Sequence, residues 1–455
     1  MKKLSLYSLA WPIFIETALF MLLGFVDVYI LSRYDDLAAS SVSTANQAVS
    51  IATIVFSVIS SASAVMISQY LGAKKQTSAS RIAALSMTLH FAFGLIISAV
   101  FLLFNRPILL FIGAGDKILT FGCRYLSIVG GVIFLQALMT SMSVVIRNHG
   151  MTRISMFVTV GMNILNTSLD ILLVPQMGVT GVAVATSISR VIGTAVLTVV
   201  LFTKVEKLSI FRMLKPFPFD DVKKMLKIGV PSAMETFLYN LSQLVITSIV
   251  LNYLTNSELI TKTYVQNITM FFYIFAVSIG QASQILTGHL VGAGRFDEAY
   301  KQGLRSYRNA LIINAVVCAI GVLLRTQLLG IFTDNAEVLL LGSNILLINL
   351  FLEVGRTTNL IIIACLRGSG DVMFPTMCAI FSNWLLSVLG SYLLAVVFGM
   401  GIYGLWIALA ADECFRGVLM LIRWKSGKWR DKAIVKQETD PRPAETLTDT
   451  ESPAA

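Results

Sequence analysis

The 455-residue chain is 56% hydrophobic and 13% charged, with a mean hydropathy of +0.78, which excludes an ordinary soluble enzyme of this length. Its formal net charge of +10 suggests nucleic acid. However, Lys and Arg fall in short clusters between apolar spans, with no basic domain and no aromatic-laced basic patch.

The first apolar stretch, residues 9–31, is long enough to cross a bilayer, for which about 20 residues suffice. Lys2 and Lys3 ahead of it mimic a signal peptide, but Pro12 and Glu16 interrupt the apolar run and no small-residue cleavage site follows before Asp27. It reads as a retained span. A carboxylate in hydrocarbon costs about 2.5–3.5 kcal/mol, so Glu16 and Asp27 in one span need a reason. At roughly 100° per residue their spacing places both on nearly one helix face, which should point into the protein.

The stretch recurs. Pro12, Glu16 and Thr17 reappear as Pro231, Glu235 and Thr236, 219 residues later. Gly72-Ala73 answers Gly292-Ala293, Arg147-x-x-Gly150 answers Arg367-x-x-Gly370, and Asn163 answers Asn383, each 220 residues on. Such duplications build many transporters, with the binding site between the halves.

Apolar segments continue near 43–71, 82–104, 121–146, 154–174 and 180–203. In the second half they lie near 228–252, 264–291, 309–330, 338–366, 374–398 and 402–423. The fold class is therefore an all-α integral membrane protein of twelve transmembrane helices in two six-helix pseudo-repeat lobes. The expected divisions are an N-terminal lobe over 1–213, a C-terminal lobe over 214–424, and a polar, Pro-rich tail over 425–455 expected to be disordered. Residues 204–227, with Pro216, Pro218 and paired Asp220-Asp221, read as a linker whose amphipathic helix leads into the seventh span. Lys and Arg number about 26 on the side carrying both termini against about 6 on the other, which predicts cytoplasmic N- and C-termini in a plasma (inner) membrane.

The spans hold few ionisable groups. Asp27 of the first is joined by Asn163, Asn166 and Asp170 of the fifth, the last three lying on one side of their helix. Two carboxylates with amide oxygens form a hard-oxygen donor set suited to Na⁺ or to carrying a proton. Thr186 of the sixth span offers a hydroxyl, and Arg190 one turn later can neutralise a carboxylate. The blander account of the asparagines is interhelical hydrogen bonding, and of Thr186 a bond to its own helix. The residues 220 beyond Asn166 and Asp170 are Leu386 and Gly390, so the ion site is expected in the N-terminal lobe alone. The second repeat offers Glu235, with Tyr239 on the same helix, and Glu353 and Arg356, spaced to pair with each other. Asp412, Glu413 and Arg416 read as a self-neutralising group. Glu16, Glu235, Tyr239, Glu353 and Arg356 are candidates for a substrate cavity and polar gate. The five cysteines (Cys123, Cys318, Cys365, Cys378 and Cys414), without CxxC spacing, read as apolar fillers. The three histidines are scattered, and no HExxH or GxSxG constellation is present, so no enzyme is expected.

Taken together, Gly24-Phe-Val-Asp27, Gln69-Tyr-Leu-Gly72-Ala-Lys-Lys75, Asn166-x-x-x-Asp170, Gly288-His-Leu-Val-Gly292-Ala-Gly294 and Leu366-Arg-Gly-Ser-Gly-Asp371 resemble the MATE (multidrug and toxic compound extrusion) transporters over about 9–424. The resemblance implies two lobes forming a V around a central cavity. It implies export of organic cations or amphipathic compounds by alternating access, in antiport with Na⁺ or H⁺. Asp27, Asn166 and Asp170 match the family's cation-site pattern and Thr186 matches it more loosely. The family's hinge proline corresponds to Pro12. Arg356 departs from the pattern, standing about where a tenth-span aspartate occurs in some members. No cofactor is expected beyond the coupling ion, no metal beyond Na⁺, and no partner beyond small-molecule substrates and the lipid bilayer. The expected state is a monomer. The alternative function is a lipid or lipid-linked precursor flippase of a related family, which tends to line its cavity with several cations for anionic head groups; here Arg190, Arg356 and Arg416 each have a possible acidic partner nearby.

Overall fold

The computed structural model describes residues 5–435, apart from the side chains of Leu23, Gly24, Phe25, Val28, Lys117 and Leu208. Lys2, Lys3 and the stretch 436–455 of the expected tail lie outside the described residues, as do the Gly24 and Phe25 side chains of the first motif. Helices account for the fold, and no strand occurs among the described residues.

In the first half, α1 (Leu6–Ser32), α2 (Asp36–Gly72) and α3 (Gln76–Phe111) are followed by a fourth span broken at Val132 into α4 (Asp116–Gly131) and α5 (Ile133–Asn148). Then come α6 (Thr152–Met177) and α7 (Val179–Val200). The second half holds α8 (Phe219–Tyr253), α9 (Asn256–Gly292), α10 (Phe296–Leu323) with the short α11 (Arg325–Gly330), and α12 (Ala336–Ser369). It closes with α13 (Met373–Ser382), continued by π-turns to Val397, and α14 (Gly401–Lys425). Nine of these are long and apolar enough to cross a membrane, and α4 with α5, bent by 45°, makes a tenth. The remaining two of the twelve spans are α1 and α14, which carry the ionisable residues Glu16 and Asp27, and Asp412, Glu413 and Arg416. The duplication is visible in the element bounds: α2 and α9 start and end 220 residues apart.

The linker enters α8 without a break. Asp220 and Asp221 sit in its first turn, where carboxylates favour the helix dipole, and Asp221 pairs with Arg81 of α3 at 2.8 Å.

The lobes exchange helix ends. Leu6, Leu9, Ala10 and Ile13 at the start of α1 pack on Ile279, Ala282, Ile285 and Leu286 of α9. Reciprocally, Met225 and Ile228 at the start of α8 pack on Ile59, Ala62 and Met66 of α2. The opposite ends differ: one core there draws only on residues 31–183 and another only on 246–410. The two lobes therefore meet at the end carrying the basic loops and separate toward the other, which is a V.

Close approach of α2 and α9 makes this junction possible. A Cβ on Gly72 would collide with the His289 carbonyl, and one on Gly292 with the Gln69 carbonyl, the same contact twice under the 220-residue repeat. His289 Nε2 donates to the Asn148 carbonyl across the lobes at 2.8 Å, and Gln69 Nε2 donates to the Gly368 carbonyl at 2.8 Å. Gly292→Val should lower the thermal unfolding midpoint in detergent by the equivalent of about 1–3 kcal/mol, since the branched side chain forces two backbones apart.

One expectation is corrected here. Residues 426–435, read from their polarity as the start of a disordered tail, are packed: Trp429 is fully buried against Trp424, their rings stacked at 4.3 Å, and packing continues through Val435. Polar composition concealed a few apolar residues that find a ready-made groove.

Candidate functional site

The N-terminal lobe holds the first cluster. Asp27 on α1 and Asp170 on α6 are both buried, 6% and 0% exposed, and their carboxyls lie within hydrogen-bonding reach of each other. Asn166 precedes Asp170 by one turn, so the two share a face. Small residues on α7 (Gly181, Ala183, Ala185) let it pack tightly, and Gly181 lies against the α6 backbone at Leu173. Arg190 of α7 joins the cluster, with Thr186 and Ser189 on the turn of α7 before it. Arg190 donates to the Val129 carbonyl at 3.2 Å and stands near both Asp27 and Tyr125, whose hydroxyl donates to Asn46 Oδ1 at 3.1 Å.

The polar atoms of this cluster are largely without protein partners. Asp27 Oδ1, both oxygens of Asp170, both side-chain polar atoms of Asn166, Thr186 Oγ1 and Ser189 Oγ are buried and accept or donate no hydrogen bond. Groups left this way ordinarily cost about 1–3 kcal/mol each, which makes these residues the candidate site. With both carboxyls ionised, Arg190, which stands near Asp27, offsets one of the two negative charges. No group of three or more His, Cys, Asp or Glu with metal-ion geometry occurs among the described residues.

Asn163 does not share this character. Its Nδ2 donates to the Thr159 carbonyl of its own helix at 2.8 Å, rather than to a neighbouring helix. Asn163→Ala should cost no more than about 1 kcal/mol of stability, read from the thermal midpoint, and leave transport within twofold of wild type.

The second cluster lines a cavity of about 580 Å³ in the C-terminal lobe. Glu235, Tyr239 and Arg356 lie on its wall with Tyr273, Trp384 and Gln266. Glu353 does not. Fully buried behind the wall, it accepts from Arg356 Nη1 at 2.6 Å and holds the guanidinium in place. Arg356 also faces Glu413 at 3.7 Å, Glu413 faces Arg416 at 3.1 Å, and Arg416 pairs with Asp412 at 2.8 Å. The two groups read as separate in the sequence thus form one alternating chain of three carboxylates and two guanidiniums. Ser382 and Ser387 both donate to Asp412. Residues five apart diverge by about 140° in an α-helix. The π-turns that begin at Asn383, closing on i+5, bring both hydroxyls to the same carboxylate.

Glu16 is also reassigned. It lines neither this cavity nor a second one of about 240 Å³ between the lobes. Instead it accepts from Ser155 at 2.9 Å and faces Arg147 at 4.0 Å. Its repeat partner Glu235 accepts from Thr376 at 3.1 Å and pairs with Arg367 at 2.7 Å. Each lobe therefore ties its Pro-x-x-x-Glu helix to the arginine near the end of its fourth span. The recurrence of all four residues at 219–220 was the sequence signal for these pairs. Lys262 is buried on α9 and donates to Thr247 Oγ1 at 3.0 Å. Pro12 lies within α1, which stays helical through it.

Two six-helix lobes, joined at one end and carrying buried, unsatisfied polar clusters in their interiors, define a membrane transport protein. A family model described as MatE matches residues 12–172 and 231–393. The chain is 38% identical over 443 residues to "Uncharacterized transporter YisQ" of Bacillus subtilis, covering 95% of this chain and 96% of that one. It is 28% identical to "Probable multidrug resistance protein NorM" of Thermotoga maritima, covering 95% and 94%. Among solved structures it superposes on "Crystal structure of MATE in the bent conformation" with a TM-score of 0.86 at 18% identity, over 93% of this chain and 95% of that one. The chain belongs to the MatE family of transporters.

Proposed function

We propose that the protein is a secondary active exporter of organic cations or amphipathic compounds, working by alternating access in antiport with Na⁺ or H⁺. The observation that carries this is the Asp27–Asp170 contact: two buried carboxyls in reach of each other, with unpartnered oxygens, while Asn166 one turn before Asp170 and Thr186 on α7 are equally unpartnered. Two bare carboxylates at contact repel, and a proton or a hard monovalent cation between them removes the repulsion. Asn163 serves this site at most by shaping α6.

Substrate occupies the C-terminal cavity, against Glu235, Tyr239 and Arg356, with Tyr273 and Trp384 offering aromatic faces to a cationic or flat ligand. Pro12 acts as the hinge: it removes one backbone bond from α1, the helix that carries Asp27 and also packs against the other lobe. The units are the N-terminal lobe over 1–213 and the C-terminal lobe over 214–424. The excess of basic residues in the loops at the joined end supports cytoplasmic termini in the plasma membrane; the working unit in this reading is the monomer. The relative described as a probable multidrug resistance protein supports export of drugs. The pairing of each cavity arginine with a carboxylate argues against a headgroup-binding flippase.

The test is efflux of a fluorescent organic cation from proteoliposomes with Na⁺ and pH gradients imposed separately. Efflux driven by one gradient supports the antiporter and names its ion. Movement indifferent to both gradients refutes it.

A further inference from the structure

The segment after α14 crosses from one lobe to the other. Trp429 anchors it in the C-terminal lobe: its ring stacks on Trp424, its Nε1 donates to the Trp424 carbonyl at 2.9 Å, and it is fully buried. Arg430 pairs with Asp297 on α10 at 2.7 Å. Gly370, at φ +96°, admits the chain beside it, where a Cβ would collide with the Lys432 carbonyl. Ala433 still packs on the C-terminal core. The next two residues do not: Ile434 and Val435 belong to the core built chiefly on the N-terminal lobe around Ile59 and Met66 of α2, which Met225 of α8 also enters. The Ile434 N–H donates to Gln69 Oε1 at 2.8 Å, and Nε2 of the same buried Gln69 donates to the Gly368 carbonyl. One side chain on α2 thus holds both the end of α12 and the segment beyond α14.

We propose that residues 428–435 form a strap that holds the two lobes shut at the basic-loop end, and that Ile434 and Val435 must leave the N-terminal lobe for the interior to open toward that side. The physical reason is topological. Between the Trp429 anchor in one lobe and the Ile434 bond in the other lie only four residues, at most about 3.3–3.6 Å each when extended. Little slack remains, so separation of Gln69 from Gly368 draws Ile434 and Val435 out of their apolar seat. Docking of the strap is therefore linked to closure, and losing it favours the open arrangement.

The inference rests on alternating access only for its consequence in transport; its test reads lobe separation without substrate or ion. Spin labels at Thr77→Cys on α3 and Lys301→Cys on α10, in a full chain whose native cysteines are alanine, report the separation by electron–electron dipolar spectroscopy in nanodiscs. Ending the chain after Gly427 should enlarge the long-distance population. Ile434→Pro, which removes both the N–H donated to Gln69 and the isoleucine side chain seated in the core, should raise the open-to-closed ratio at least about fivefold, the loss expected of the hydrogen bond alone. Ending the chain after Val435 should leave the distribution as in wild type. The proposal is overturned by wild-type distributions in both the shortened chain and Ile434→Pro. It is equally overturned if ending the chain after Val435 opens the lobes as much as ending it after Gly427. Should the shorter chain fail to fold, Ile434→Pro decides alone.

Discussion

Asp27→Asn is expected to abolish gradient-driven efflux, reducing it at least tenfold, to the background of empty proteoliposomes; every tenfold is about 1.4 kcal/mol of coupling. The same variant should fold normally. Asparagine keeps the shape and removes one of two carboxyls in contact, so the charge repulsion with Asp170 falls and the thermal midpoint stays level or rises. Asp170→Asn should behave alike, because the pair binds the cation as a unit. Loss of transport with preserved stability separates an ion site from a structural polar cluster, which would lose both. Gradient-driven efflux that survives in both variants would move the coupling ion to the C-terminal carboxylates, with Asp412 and Glu413 the first candidates.

Arg356→Leu should be the most destabilising single change in the C-terminal lobe, at about 3–5 kcal/mol, because it leaves a buried carboxylate uncompensated. Glu353, with no exposed surface, loses its only ion-pair partner among the described residues, and Glu413 keeps Arg416. Glu353→Gln should cost less, since Arg356 retains Glu413 at 3.7 Å and the amide oxygen still accepts. The double variant Glu353→Leu with Arg356→Leu should recover much of the loss, an interaction visible in a double-mutant cycle of thermal midpoints. Additive losses would show that the two residues are not a unit, and would return Glu353 to a direct role at the cavity.

The duplicated architecture was legible at the level of residues. Apolar length alone located the spans, since the bilayer imposes it, and the 220-residue recurrence of Gly72 as Gly292 anticipated that α2 and α9 would do the same thing in each half. The cost of a buried carboxylate singled out Asp27 and Asp170 before any geometry was known. Two residues of one helix with the right spacing must share a face, and so Asn166 and Asp170, and likewise Glu353 and Arg356, were found together. What spacing could not separate was Asn163 from Asn166. Both face the same side of α6, but only contact with neighbouring helices shows that one bonds its own backbone and the other is left unpaired.

The sequence by itself therefore determined the class of the protein, its repeat, and the helical faces on which its ionisable residues lie, because these follow from local periodicity and from the bilayer as solvent. The tertiary structure alone decided which faces meet. It joined Glu353, Arg356, Glu413, Arg416 and Asp412 from two helices into one chain, and set Glu16 against Arg147 rather than in a cavity. It also carried the residues after Trp429 across to Gln69. Those contacts link positions tens to hundreds of residues apart, and charge and hydropathy along the chain cannot say which distant partner satisfies a buried group.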